Sequence, residues 1–534
     1  MKHIIILLSI ATLLFLHIFT NSNISSYKSS QDNQAITMKR IDSQSNMNKI
    51  YNENYQESIH QAIEKLKNDT YTLQTPLVLE NPYHTNTTSL YLYFTTNEKV
   101  KIKYTVQANG YKDFSQILYS DYTKEHEYQL IGIVPNCTNT ITLEAINEQQ
   151  EIVDSKTFTY DAPQLLSGDE YTTLEVTNGS SMQEVSSGLY TILGNDTTEN
   201  DDDIDYIYLY DNDGVIRGEI PILSYRAHRL LFDDQTMYYS ASSQKLVGMN
   251  NLGQITHIYN TGQYQLHHDY IFGSQDDFIV LASESNTDTK EDKIISINKK
   301  SGDIIELVDL EELFKEYRKT LSSSSTLDWM HINSIELIGD SSIIISSRET
   351  STIIKIDNIY TNPTIDYMIG SNMFWSGTSY QNLLLQQVGN FSLNAGQHCL
   401  SIQYDNSLKD GQYYLSLYNN NNTYCSSRKY DYSKDVQYYN TGTKTTGNTS
   451  YYYQYLIDEN KRTFTLISKI PVTYSGYVSS VQHIDNNLII DSGSAFEAVE
   501  LDSQNNIIQT IKGTGDTWWY RVFKYTYNNF WFSE

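Results

Sequence analysis

Leu327-Asp328-Trp329-Met330-His331-Ile332-Asn333-Ser334 sets a histidine and an amide two residues apart at the start of an expected strand. Ile343-Ile344-Ile345-Ser346-Ser347-Arg348 then brings an arginine to the end of the next strand, across a turn at Gly339-Asp340. Side chains alternate faces along a strand, so His331 and Asn333 point the same way. Donors of these types on one surface suit a tetrahedral oxyanion such as sulfate or phosphate. Further histidines start neighbouring stretches, in His267-His268-Asp269 and Gln397-His398. Imidazole can serve as nucleophile, acid or base near neutral pH.

Such side chains converge only if the stretches carrying them are arranged about a common axis. Beyond Asp161-Ala162-Pro163 the chain repeats itself. Polar turns followed by apolar strands ending in small residues recur at 230–240, 274–283, 339–347 and 485–492. Most are followed by a strand leading to an Asp/Asn/Gly turn, as at 249–255, 297–304 and 501–507. Two hairpins per unit make a four-stranded blade, the mark of a β-propeller. Five units are clear and a partial one covers 205–220; the aromatic stretch 518–532 is expected to complete it and close a six-bladed ring, with five or seven blades left open by the irregular unit lengths. The first strand of each blade lines the central channel, where His331, His398 and one of His267 or His268 would meet. Matching the turns pairs His267 with His331; a one-residue bulge selects His268 instead. His228 and His483 lie closer to their turns and are expected in the outer half of the strand.

Before the propeller, residues 75–162 alternate in short strands, among them 89–94, 100–106 and 140–145. Roughly seven strands in so short a span predict a small fibronectin- or immunoglobulin-like β-sandwich. The class is therefore all-β, which abundant Tyr (46) and scarce Pro (7) favour. The expected boundaries are 1–20 for a signal peptide or N-terminal membrane anchor, 21–70 for a flexible tether and short helix (48–67), 71–165 for the sandwich and 166–534 for the propeller. Met1-Lys2-His3 and the apolar run that follows to Phe19 have the form of an export signal without a clear cleavage site, so cleavage and anchoring both fit. Either way the bulk of the chain is expected outside the cytoplasm. The net charge of −27 argues against nucleic acid, which needs a basic stripe. Three cysteines, Cys137, Cys399 and Cys425, leave at least one thiol unpaired; a Cys399–Cys425 bridge and buried free thiols both remain open.

The Asp328-Trp329-x-His331-x-Asn333-Ser334 and Ser346-Ser347-Arg348 blocks resemble the bacterial arylsulfate sulfotransferases. Gly396-Gln397-His398 resembles that family's Gln-His element and His267-His268-Asp269 its His-His-Asp element. Leu417-Tyr418-Asn419-Asn420 resembles its Phe-Asp-Asn-Gly element, with Asn in place of both Asp and Gly. Cys399 after the key histidine and a long hairpin over 403–411 are further departures, bearing on the shape of the channel mouth. The resemblance implies ping-pong transfer of a sulfuryl group from a phenolic sulfate ester to a phenolic acceptor, with no nucleotide, cofactor or metal. It implies that His398 carries the sulfuryl group. Arg348 and Asn333 would hold its oxygens. His331, with His267 or His268, would protonate the leaving phenolate and deprotonate the acceptor. A homodimer through the N-terminal region is also implied.

Three rivals stand beside this reading. Three histidines with Asp269 suit a zinc hydrolase, although the Arg348 cation would repel a metal. Water could replace the acceptor, giving a sulfatase. A propeller could also bind a ligand without chemistry. The runs Asp201-Asp202-Asp203 and Asp211-Asn212-Asp213-Gly214 read as solvated turns rather than calcium loops, and Ser322–Ser325 as a loop.

Overall fold

The computed structural model describes residues 24–28, 37–41, 47–195, 204–224, 227–321, 327–427, 442, 446–515 and 517–534. The N-terminal apolar run, Asp201-Asp202-Asp203 and the Ser322–Ser325 run lie outside these. Among the described residues, no helix is long and apolar enough to cross a membrane.

A helix at Glu53–Glu64, capped by the Asn52 side chain on the Tyr55 amide, buries Ile59 and Ile63 against the N-terminal sheet. In that sheet the stretches 89–94 and 100–106 are one continuous 19-residue strand, Leu90–Ala108. Its first half pairs with Thr123–Leu130, and its second half with Phe114–Ile117 and Thr138–Ile146. One strand thus serves two sheet faces, which is how a short segment encloses an apolar core. Arg217, fully buried, latches this unit to the propeller: it pairs with Asp211 at 2.7 Å and donates to the carbonyls of Lys112 and Gly132. The Asp211-Asn212-Asp213-Gly214 turn accordingly spends its first carboxylate on Arg217 and on the turn's own amides.

Six sheets of four or five strands follow, antiparallel except where Gln386–Val388 adds in parallel to Thr463–Val472, each alternating apolar runs with polar turns. Their inner strands are Leu231–Asp233, Tyr264–Phe272, Ile332–Ile338, His398–Gln403, Ser480–Ile484 and, from the far end of the chain, Arg521–Tyr525. This last strand pairs antiparallel with Leu189–Asn195, in register from Leu189 opposite Tyr525 to Leu193 opposite Arg521. It completes the sheet of Asp205–Tyr210 and Ile216–Ile222, so the C-terminal aromatic stretch closes the ring as expected. A second closure was not foreseen. Glu175–Asn178 adds to the outer edge of the sixth blade, next to Ile507–Lys512, so both ends of the ring are pinned through the last and first blades.

The inner strands begin irregularly. Pairing shifts between Leu266 and Tyr270, between Ile332 and Ser334, and between His398 and Ser401. His268, His331 and Cys399 at these bulges all have φ near +50°. Bulges at one rim of a ring re-aim side chains, and left-handed non-glycine residues concentrate at functional sites.

Candidate active site

The bulged starts of the inner strands converge on Tyr520, which precedes the closing strand. The His228 ring stacks on it at 4.0 Å, the His268 ring lies at 5.4 Å and the His398 ring meets its edge at 6.2 Å. His331 is 4.7 Å from His268, ring to ring, and His267 is 5.1 Å from His268. The five histidines and Tyr520 are therefore one cluster at one end of the channel. The bulge settles the register that the turns left open: His268, not His267, stands beside His331, while His267 backs it. His228, expected in the outer half of its strand, is a correction. Its inner strand has only three residues, Leu231–Asp233, so a histidine just before it reaches the channel. His483 does keep away, sharing a hydrogen bond with Tyr452.

His398 sits after a turn at Gly396 (φ +62°), where a Cβ would lie 2.5 Å from the Asn422 carbonyl oxygen. Its Nδ1 is 3.0 Å from the Gly396 carbonyl and 2.8 Å from Asn420 Oδ1. Asn420 donates its own amide to the carbonyls of Ser475 and Val478, which fixes its oxygen toward the histidine. With only acceptors at Nδ1, the proton belongs there and the Nε2 lone pair is free. Burial holds the His398 pKa well below the usual value; the Asn420 bond opposes this, and His331, Arg348 and His268 reinforce it. His398 is thus neutral, with its unprotonated Nε2 on the side of the ring away from these anchors. Gln397 beside it ties this blade to the previous one through Ser346 Oγ and the Ser347 carbonyl.

His331 is in the opposite state. Its Nδ1 lies 2.6 Å from Asp328 Oδ2 and 2.7 Å from Glu291 Oε2. Burial and the nearby Arg348 lower its pKa, but the two carboxylates outweigh them and raise it to about 9. It is an imidazolium at neutral pH, with Nε2–H left for a substrate. Arg348 is 12% exposed, with Nη2 on Glu349 Oε1 at 2.9 Å and 3.7 Å from Asp328. Glu349 is fully buried and also accepts from the amides of Ser426 and Ser427, so it anchors that loop beside the arginine. Asn333, expected at the sulfuryl oxygens, is fully buried; it donates one N–H to the Gln397 carbonyl at 2.9 Å, bracing the His398 strand and leaving one N–H of its amide.

Asp269, which kept a zinc reading open, is bound elsewhere. Arg229 and Arg521 each hold it through two hydrogen bonds of 2.8–3.1 Å. Burial opposes its ionisation, but the two guanidinium groups outweigh burial and hold its pKa far below the usual carboxylate range. This pair network plugs the channel below the histidines. Arg229 also lines a cavity of about 180 Å³, together with Glu336, Cys399 and Gln482 among others. The long hairpin over 403–411 follows the far end of the His398–Gln403 strand, away from His398, whereas Cys399 is bonded to His398 and shares its bulge. Cys399 faces Val481, Cys425 faces Glu349 and no disulfide joins them.

Sequence reasoning passed over Glu291 and Tyr520. Glu291 comes from a short parallel bridge, Thr289–Lys290 against Leu327–Asp328, which delivers it beside Asp328. Donor atoms of His267, His268 and Glu291, and of Glu291, Asp328 and His331, lie within 4.8 Å of one another, close enough to share a cation. The 2.6 and 2.7 Å separations are those of charge-assisted hydrogen bonds, and Arg348 adds positive charge nearby, so this geometry favours a proton.

No curated protein matches the sequence. Solved structures similar to it include an auxiliary nutrient binding protein from Bacteroides thetaiotaomicron (11% identity, 81% of this chain and 87% of that one, TM-score 0.32). Others are AztD from Citrobacter koseri (8%, 79% and 98%, 0.28) and BamB from Moraxella catarrhalis (10%, 61% and 92%, 0.28). The family model for the arylsulfotransferase Ig-like domain matches residues 77–163. That for arylsulfotransferase itself matches residues 175–529, which contain every histidine of the cluster. The chain belongs to the arylsulfotransferase family and is an aryl sulfotransferase.

Proposed function

We propose that the enzyme moves a sulfuryl group from a phenolic sulfate ester to a second phenol by a ping-pong route through a sulfohistidine at His398. The observation that carries this is the double oxygen contact at His398 Nδ1, which leaves a neutral ring with a free Nε2. In the first half, Nε2 attacks sulfur and the S–O bond to the donor breaks. The leaving phenolate takes the proton of His331. In the second half, neutral His331 accepts the proton of the incoming phenol, whose oxygen displaces the histidine. Charge on the sulfuryl oxygens is met by Arg348 and the remaining N–H of Asn333. His268 and His267 act behind His331 rather than on the phenol, because His268 Nε2 is taken up by Glu291 at 3.1 Å.

The chain is further proposed to work outside the cytoplasm, delivered by its charged and apolar N-terminus, and to pair through its N-terminal region. The chemistry is tested with ³⁵S-labelled 4-nitrophenyl sulfate. Wild type should release nitrophenol in a phenol-dependent way and, without phenol, retain one label per chain. His398→Ala should do neither. Phenol-independent release would indicate a sulfatase instead, and label retained by the variant would exclude His398 as carrier.

A further inference from the structure

Glu291 is held with unusual care for a loop residue. Its backbone adopts φ +56°, its amide donates to Ser283 Oγ at 2.8 Å, and its carbonyl accepts from the Ile332 amide at 3.2 Å. A side chain in the left-handed region costs of order 1–3 kcal/mol and persists only where the surroundings impose it. What is gained is placement. One oxygen, Oε2, lies 3.1 Å from His268 Nε2 and 2.7 Å from His331 Nδ1, so a single carboxylate spans two imidazoles. Asp328 meets the same His331 nitrogen from the other side of the parallel bridge.

We infer that Glu291 is a positioning residue for acid–base catalysis: by bridging His268 and His331 it holds the His331 ring with Nδ1 protonated and Nε2–H aimed at the phenolic oxygen. This rests on the proposed role of His331. Glu291 touches no substrate atom. In the first half-reaction the proton leaves His331 Nε2 for the departing phenolate oxygen, while the Nδ1 proton stays on the hydrogen bonds to Glu291 and Asp328. In the second half the acceptor's phenolic proton returns to Nε2. Proton count and charge balance over the cycle, and no further reactant is needed.

Acid assistance matters most when the leaving phenolate is basic, so the test is a series of aryl sulfates read as kcat/KM against leaving-phenol acidity. Glu291→Gln keeps the shape and an acceptor oxygen but removes the charge. Its expected loss is ~10-fold or less for 4-nitrophenyl sulfate and ~10²-fold or more for phenyl sulfate, a steeper dependence than wild type. Glu291→Asp, which keeps the charge, should return toward the wild-type slope, and this rescue is readable even where the glutamine variant folds poorly. In a His331→Ala background Glu291→Gln should add no further slope. An unchanged slope, an equal loss for all donors, or full additivity with His331→Ala would each overturn the inference. His398→Ala, run alongside, reports separately: turnover surviving there sinks the sulfohistidine, while the slope still reports on the proton.

Discussion

Asn420 Oδ1 stands 2.8 Å from His398 Nδ1, and both N–H groups of Asn420 are committed to backbone carbonyls of the next blade. The amide cannot turn, so neither can the tautomer of the histidine. A residue just past the strand beside His398 thereby decides which ring nitrogen carries the proton.

Replacing Asn420 should tell on rate through that tautomer. Asn420→Ala is expected to lower kcat by ~10-fold or more, since a ring that loses its orienting partner is a poorer catalyst. Asn420→Asp should keep the orientation but favour the imidazolium, moving the acid limb of the kcat profile to higher pH. The paired pH profiles check both; an acid limb that stays in place contradicts the account.

In the proposed mechanism Arg348 offers a fork where charge spreads over the sulfuryl oxygens. Arg348→Ala is expected to cost ~10²–10³ in kcat, the usual cost of losing one oxyanion donor. Arg348→Lys should recover only part of it, because a point charge cannot reach two oxygens and Glu349 together. Single-turnover rates with a labelled donor give the measurement.

The two histidines predict a broad bell. His398 must be neutral and burial keeps its pKa well below the ordinary 6.5, so activity should hold until well into the acid range. His331 must be charged for the first half-reaction and its pKa is raised to about 9, so kcat/KM for the donor should fall as pH rises through about 9. The alkaline limb should vanish in His331→Ala.

Asp269 compensates two guanidinium groups in the channel, one of them fully buried. Asp269→Ala would leave Arg521 uncompensated and is expected to destabilise the fold by ~3–5 kcal/mol, read from urea unfolding. The folded-state pKa of Asp269 is depressed, so its contribution is present above the unfolded carboxylate value and is lost as pH falls below it. The gap between wild type and variant should therefore narrow in acid.

Removing the closing strand should be worse than any point change. A chain ending at Trp518 lacks Tyr520 and the inner strand Arg521–Tyr525 of the first blade. It should show no cooperative thermal transition, because the first blade then lacks its inner strand and Asp269 loses one of its two arginines, Arg521. A sharp transition near that of the full chain would contradict the closure.

Much of this was legible in the sequence. The period of turns and apolar strands set out the ring because each blade must bury both faces of a sheet, and that requirement repeats in every unit. That His331, Asn333 and Arg348 lie near one another was readable because they belong to one hairpin, although the bulge between Ile332 and Ser334 takes Asn333 out of the regular alternation. His398 was readable by its place in the next unit. What local pattern could not give was the departure from pattern. A bulge put His268 rather than His267 beside His331, and a three-residue inner strand brought His228 inward. Glu291 arrived through a two-residue parallel bridge that no periodicity marks. The charge states were also decided in three dimensions. Histidine is the same residue at 331 and 398, but carboxylates from a loop keep one protonated, while burial and an amide from beside the neighbouring strand keep the other neutral. Those partners are distant in sequence, and only closure of the ring brings them within hydrogen-bond reach.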